Sequence, residues 1–355
     1  MSMKFCKGRG AVSNAGGRYE AYSHAAVDDG WGILDEEPPA LKTTVTDEAA
    51  RTIISRNDSP DVPFDRSINP YRGCEHGCIY CFARPNHAYQ GLSPGLDFES
   101  RLFAKPDAAR LLAEELRKPK YDCEVIALGA NTDCYQPIER ERRITRDILE
   151  VLAEHHHPVA IVTKSALIER DIDVLAAMAA KNLAMVYVSV TTLDRSLARR
   201  LEPRAAAPAR RIEIIRALAD AGIPTGVLTA PVIPALNDSE MEAILEAATE
   251  AGTRWAGYVL LRLPLEIKDL FKEWLAEYAP LKAEHVMSLI RQSREGKEND
   301  AHFGSRMKGT GVYAEMIEQR FRLACKRLGL NRERLRLDTR QFRVPARRGD
   351  QLALF

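Results

Sequence analysis

Between residues 66 and 264, six short runs rich in Val, Ile, Leu and Ala alternate with stretches of helical periodicity. The runs cover 66–70, 123–131, 158–165, 184–192, 224–234 and 256–264. Near-continuous apolar runs of this length suit strands of a parallel sheet covered by helices, not half-exposed antiparallel strands. Among the intervening stretches, 106–117 puts Leu111, Leu112 and Leu116 on one side, a helical spacing. The segments 142–156, 171–182, 208–222 and 237–252 also read as helices. Gly222 and Gly252 are expected helix stops, and Asp238 is the expected N-cap of the last of them. Six such units predict an α/β fold: an incomplete (β/α)6 barrel of TIM type, open on one side, with chemistry at the C-terminal ends of its strands.

The first strand runs directly into NPYRGCEHGCIYCFARPNHA, residues 69–88. Cys74, Cys78 and Cys81 stand there at C-x3-C-x2-C spacing, in a loop punctuated by Gly73 and Gly77. Three thiolates this close, without a fourth at matching spacing, can hold three irons of a 4Fe–4S cluster and leave the fourth open to another ligand. A structural zinc site completed by His76 or His87 is the alternative, because Cys3His is a common zinc ligand set. Against it, His76 lies between two of the cysteines and would have to fold back sharply, and a chain of 355 residues needs no metal staple. Cys123 and Cys325 are expected to pack in a strand and a helix, and His155, His156 and His157 to form a helix C-cap rather than a metal site.

The C-x3-C-x2-C loop, with aromatic Tyr80 just before its last cysteine, resembles the signature of the radical S-adenosylmethionine (SAM) superfamily. That resemblance implies a 4Fe–4S cluster on Cys74, Cys78 and Cys81, SAM on the open iron, and an electron donor as partner. It also implies a (β/α)6 partial barrel, the architecture reached separately from the apolar runs. Further along, TDCYQPIE, TKS, SVTTLD and LEPR resemble the branch related to spore photoproduct lyase, the DNA-repair-photolyase-like radical SAM proteins. The likeness spans about 64–264 and is strongest at the cysteine loop. Carried over by position, it places Tyr80, Thr132, Lys164 and Ser189 around SAM. Lys164 ends an otherwise apolar strand, where a cation is costly without an anion beside it, and the SAM carboxylate would supply one. Arg204 in the LEPR turn either supports the same site or braces the turn against Glu202. One departure concerns the hydrogen-donating cysteine that photoproduct lyases place just before the acidic residue ending their second strand. Here those positions hold Ala130 and Asn131, and Cys134 or Tyr135 becomes the candidate catalytic donor.

The chain carries a net charge of only +1, but unevenly. Residues 301–350 hold 13 Lys and Arg against 5 Asp and Glu, a balance of +8 that leaves −7 for the rest. Such asymmetry points to a polyanion, nucleic acid first, at the C-terminal end. Helix residues Ile317, Phe321, Ala324 and Leu328 form an apolar face there, with Arg320, Lys326 and Arg327 opposite. The closing QLALF resembles the short peptide with which bacterial repair and replication proteins bind the DNA sliding clamp, through Gln351, Leu352, Leu354 and Phe355. Seven cysteines without a regular framework, no apolar run long enough for a membrane and no signal-type N-terminus lead us to expect a cytoplasmic protein.

The expected layout is a polar arm (1–60), the barrel (61–265), a basic helical region (266–345) with one or two helices over the open side, and a tail (346–355). Ile53 and Ile54 are expected to dock as a short strand. The expected activity is reductive SAM cleavage acting on a nucleic-acid substrate, DNA repair foremost. Radical modification of RNA or peptide, or a non-catalytic iron–sulfur or zinc nucleic-acid-binding module, are the alternatives.

Overall fold

A computed structural model of the chain describes residues 8–20 and 41–345. Ten strands are present among them: β1 (Thr44–Asp47), β2 (Ile54–Arg56), β3 (Arg66–Ile68), β4 (Tyr71–Arg72), β5 (Arg101–Ala104), β6 (Ile126–Leu128), β7 (Val159–Thr163), β8 (Ala184–Ser189), β9 (Thr225–Val232) and β10 (Trp255–Leu260). Seven form one sheet in the order β10-β9-β8-β7-β6-β3-β2. All neighbours are parallel except β2, which is antiparallel to β3. The six expected strands are therefore present in the expected order, each shorter than its apolar run, and Ile54 does begin an edge strand. Because β10 and β2 are the two ends of the sheet, the barrel is not closed by strand pairing.

The burial alternation explains why the strands look uniformly apolar in sequence. In β7, Val159, Ile161 and Thr163 are buried while Ala160 and Val162 are only half-buried. In β8, Ala184, Val186 and Val188 are buried while Met185 and Tyr187 are half-buried. The buried set joins the core with helices Ala108–Leu116, Ile144–Glu154, Ile172–Ala179, Pro208–Asp220 and Met241–Glu250. The other set faces an open lumen. Gly226 is needed there because a Cβ would lie 2.2 Å from the Tyr187 ring.

Several expectations need correction. The sixth outer helix is Gly311–Leu328, from the segment read as a separate C-terminal region: Phe321 packs on Tyr258 of β10, with ring centroids 4.8 Å apart. Its apolar face is as expected, but two of its cations are spent on the neighbouring helix. Arg320 pairs with Glu242 at 2.6 Å and Arg327 pairs with Glu246. Asp238 does not cap a helix; its carboxylate accepts from the Tyr313 hydroxyl at 2.8 Å. Helices Ile267–Tyr278 and Ala283–Gln292 do not close the open side. They pack beneath the cysteine loop in a second apolar cluster with Ile79, Leu201, Phe271 and Trp274. A loop bridges the open side instead: Leu260 N–H donates to Met307 O at 2.8 Å, while Gly304 N–H (2.7 Å) and Arg306 reach Asp61 in the β2–β3 connection.

Residues 331–343 run along the N-terminal ends of the strands, the end opposite the cysteine loop. Asn331 N–H donates to Arg254 O, Asp338 N–H to Asn182 O and Arg343 N–H to His155 O. That part of the basic region therefore lies away from the barrel mouth. The QLALF segment lies outside the described residues.

Phe342 packs on Tyr121 and His157 at this end. Of the three adjacent histidines, only His155 caps the helix Ile144–Glu154. His157 is fully buried; its Nδ1–H donates to Pro158 O (3.0 Å) and its Nε2 accepts from Tyr121 Oη (2.6 Å). Burial lowers its pKa from 6.5 to about 4. Between those values the unfolded chain binds a proton that the native state refuses, so this stability is present above pH 6.5 and lost as pH falls toward 4. The expected loss is about 2 kcal/mol near pH 5, read from urea unfolding midpoints. A His157→Gln variant should lack that acid-sensitive component; an equal loss in the variant would assign it elsewhere.

Candidate active site

The cysteine loop hangs between the main sheet and a small second sheet, ordered β1-β5-β4, that the sequence reading did not anticipate. Its strands are too short for a periodic signal. Strand β4 delivers the chain to Gly73, whose φ of 72° makes the turn into Cys74. Cys74 N–H donates to Phe98 O at 2.9 Å, and Cys81 N–H to Cys78 O at 3.2 Å. Buried Arg84 then fastens the loop, donating to Cys78 O (2.8 Å), Gly77 O (3.0 Å), Pro94 O (3.0 Å) and Gly95 O (2.8 Å), and pairing with buried Glu99.

Glu99 also ties in the N-terminal arm by accepting from Gly10 N–H and Ala11 N–H, both at 2.8 Å. At Gly10 a Cβ would sit 1.8 Å from Gly77 O, so only glycine permits this approach. The described part of the arm is thus packed against the loop that carries the cysteines.

Cys74 and Cys78 are buried and Cys81 is half-buried. Burial raises the pKa of all three, Cys78 to about 12, and their neighbouring charges raise that of Cys74 further. Three such thiols would stay protonated alone; a bound cluster supplies the positive charge that holds them as thiolates. The donor set therefore fits a 4Fe–4S cluster. Of the two histidines of the zinc alternative, one is paired with an acid and the other is packed among aromatic rings with its Nε2 unpartnered. His76 Nδ1 lies 3.3 Å from Asp133 Oδ2, and His87 packs among Phe98 and Phe103. Among the described residues, no three His, Cys, Asp or Glu side chains form a site for a single metal ion.

Around the loop, the strand ends converge. Asp133, after β6, accepts from Lys164 N–H (2.8 Å), Thr163 Oγ1 (2.8 Å) and Tyr135 N–H (2.9 Å). Burial would raise its pKa, but His76 and these donors bring it to about 2, so it is a fixed anion joining β6, β7 and the loop. Lys164 has its Nζ 6.0 Å from the Tyr80 ring centroid and forms no ion pair with a described residue. Burial would lower its pKa, yet Cys78 and Glu202 outweigh this and raise it, so its ammonium stays charged. The Tyr80 hydroxyl donates to Glu202, whose carboxylate pairs with fully buried Arg211 and accepts from Thr191 at 2.7 Å. Arg211 in turn donates to Ser189 O at 3.1 Å.

The structure thus brings Cys74, Cys78, Cys81, Tyr80 and Lys164 together, with Ser189 linked through Arg211. It separates others. Thr132 is buried with its hydroxyl donated to Tyr71 O at 2.7 Å. Arg204 does not brace against Glu202; it reaches Glu75 in the cysteine loop at 3.2 Å, since Arg211 already occupies Glu202. Cys134 and Tyr135 are fully buried in the helix-side core, with their side chains away from solvent. Glu202, Arg211, Asp133, Arg84 and Glu99 were missed as supports. Glu202 carried a signal through LEPR, Asp133 through TDCYQPIE and Arg84 through the cysteine-loop motif, whereas Arg211 and Glu99 carried none. A surface depression lined by Arg56, Phe64, Arg66 and Asp122 adjoins the N-terminal ends of β3 and β6, away from the three cysteines.

An open six-stranded parallel barrel with a three-thiol loop at its C-terminal mouth defines a class of metallocofactor enzyme. A sequence profile of the Radical SAM superfamily matches residues 68–248, and the chain belongs to that superfamily. An uncharacterized protein of Mycobacterium tuberculosis is 36% identical over 233 residues, covering 65% of this chain and 68% of its own. Another, of Methanocaldococcus jannaschii, is 27% identical over 215 residues, covering 60% and 76%. Among solved structures, spore photoproduct lyase complexed with dinucleoside spore photoproduct superposes with TM-score 0.58 at 14% identity, over 81% of this chain and 80% of that one. At that identity the likeness is one of fold. No described helix is long and apolar enough to cross a membrane.

Proposed function

We propose that this protein is a cytoplasmic radical SAM enzyme that holds a 4Fe–4S cluster on Cys74, Cys78 and Cys81 and acts on a nucleic-acid substrate, in DNA repair. The observation that carries the reading is the meeting of the three-cysteine loop with Tyr80 and the unpaired cation Lys164 at the mouth of an open barrel. Bound on the three cysteines, the cluster would supply the electron for reductive cleavage of SAM. The chain's own residues position and shield that reaction. Lys164 offers Nζ to the SAM carboxylate, a charge-assisted contact for which no described residue competes. Tyr80 is held by Glu202 and Thr191, so its ring face is fixed beside the loop. The half-buried residues Ala160, Val162 and Met185 lie on the face of β7 and β8 opposite the helix-packed core, the face that substrate would meet. Cys134 and Tyr135 have no part in this proposal, because a donor to a substrate radical must reach the lumen and both lie in the core.

The nucleic-acid assignment draws support from the fold shared with spore photoproduct lyase, whose structure contains a dinucleoside lesion. The test is 5′-deoxyadenosine formation by anaerobically reconstituted protein with SAM and dithionite, with and without ultraviolet-irradiated DNA. We expect slow turnover alone and faster turnover with the DNA. Turnover unaffected by DNA or RNA of any kind would remove the substrate class, and no turnover at all would favour the binding module.

A further inference from the structure

At the rim beside the cysteine loop, aromatic rings and guanidinium groups alternate. Phe82, directly after Cys81, is 48% exposed, and Phe303, in the loop bridging the open side, is 55% exposed. Each ring carries a cation: Arg262 Cζ lies 5.9 Å from the Phe82 centroid and Arg306 Cζ lies 4.5 Å from that of Phe303. The two arginines are close in space, for Arg262 Nη1 reaches the Sδ of Met307, the residue directly after Arg306, at 3.6 Å. The four side chains therefore make one row from the cysteine loop to the open side.

The two cations differ in how they are satisfied. Arg306 is answered by Asp61 and by Ser59. Arg262 forms no ion pair with a described residue; Asp61 and Asp300 act on it only through space. Its Nη1 reaches Met307 Sδ at 3.6 Å, and its Nε is buried without a partner. A partly buried guanidinium left in this state is costly unless an anion completes it. Exposed aromatic faces beside such a cation suit a ligand with flat π-surfaces joined by negative charges, which is the chemistry of unpaired nucleotides. A duplex hides its base faces by stacking, so the row requires unstacked bases.

We propose that Phe82, Arg262, Arg306 and Phe303 form a binding strip for an unpaired stretch of the nucleic-acid substrate, with bases on the two rings and a backbone phosphate on Arg262. This rests on the nucleic-acid reading above and moves substrate contact away from the C-terminal helix, where Arg320 and Arg327 are already paired.

The experiment is fluorescence anisotropy of a short labelled oligonucleotide, single-stranded and as a duplex, with the reconstituted protein and variants matched for iron content. The single strand should bind more tightly. Phe82→Leu and Phe303→Leu should each weaken it about tenfold, while Phe303→Trp retains binding. Arg262→Gln should weaken it and reduce the slope of log affinity against log salt by about 0.7. Arg340→Gln, at the opposite end, should match the wild type. Phe303 lies outside the cysteine loop, so its loss cannot be ascribed to cluster damage. If the wild type binds and the Phe and Arg262 variants bind equally well, the strip is overturned while the substrate class stands. If the duplex binds as tightly as the single strand, the requirement for unpaired bases is overturned. If the wild type cleaves SAM but binds neither form, strip and substrate class fall together.

Discussion

Cys78→Ala should take iron content down sharply and 5′-deoxyadenosine formation to the buffer background. On the proposed reading, the remaining two thiols would not hold three irons of the cluster, and the electron for SAM cleavage would be lost with it. Cys74→Ala and Cys81→Ala should behave alike. Cys123→Ala supplies the contrast: this cysteine is half-buried near the start of β6, at the opposite end of the barrel, and its loss should leave both readouts unchanged. The measurements are iron analysis, visible absorption and product chromatography after anaerobic reconstitution. Full activity in Cys78→Ala would dismiss the cluster assignment.

Arg211→Met should destabilise the apoprotein by roughly 3–5 kcal/mol, because it leaves the Glu202 carboxylate buried without its cation. The pair is almost completely buried, at 1% and 0% side-chain exposure. Burial alone would raise the Glu202 pKa; Arg211, then Lys164, overturn that and bring it to about 2. Lys164 is too few donors to replace the guanidinium, which also binds Ala206 O and Ser189 O at 2.8 and 3.1 Å. The double variant Arg211→Met, Glu202→Leu should recover much of the loss, since replacing both partners of a buried pair costs less than orphaning one. Urea unfolding of the four proteins gives the cycle. A single-variant cost within error of zero would mean that water reaches Glu202 and the network is not a closed one. The double variant still loses the anchor of the Tyr80 hydroxyl, so SAM binding should remain weakened after stability returns.

The places where sequence reading failed share a cause. Arg204 was offered Glu202 as a partner because the two are adjacent in LEPR, but adjacency in sequence does not set side-chain direction in a turn. Arg211 takes Glu202, and Arg204 turns to Glu75. The excess positive charge after residue 300 was legible as a sum, yet a sum does not show which charges are cancelled. Arg306, Arg320 and Arg327 each meet an acid from elsewhere in the chain, Asp61, Glu242 and Glu246, while Lys308 meets Glu318 of the same region. Arg262, on an unremarkable strand end, keeps its charge unanswered.

The sequence by itself determined the parallel sheet, its strand order, the open barrel and the three-thiol loop. Each rests on a local pattern: apolar runs of strand length, helical spacing between them, and cysteines within one turn of chain. Only the tertiary structure decided what holds that loop and what surrounds it. Gly10 against Gly77, Arg84 with Glu99, and Asp133 bridging to His76 are contacts between segments distant in sequence or on separate strand ends, settled by packing. It also decided that Cys134 faces the core, because the turn after β6 is folded onto the helix Ile144–Glu154, where Thr145 Oγ1 donates to Cys134 O at 2.6 Å.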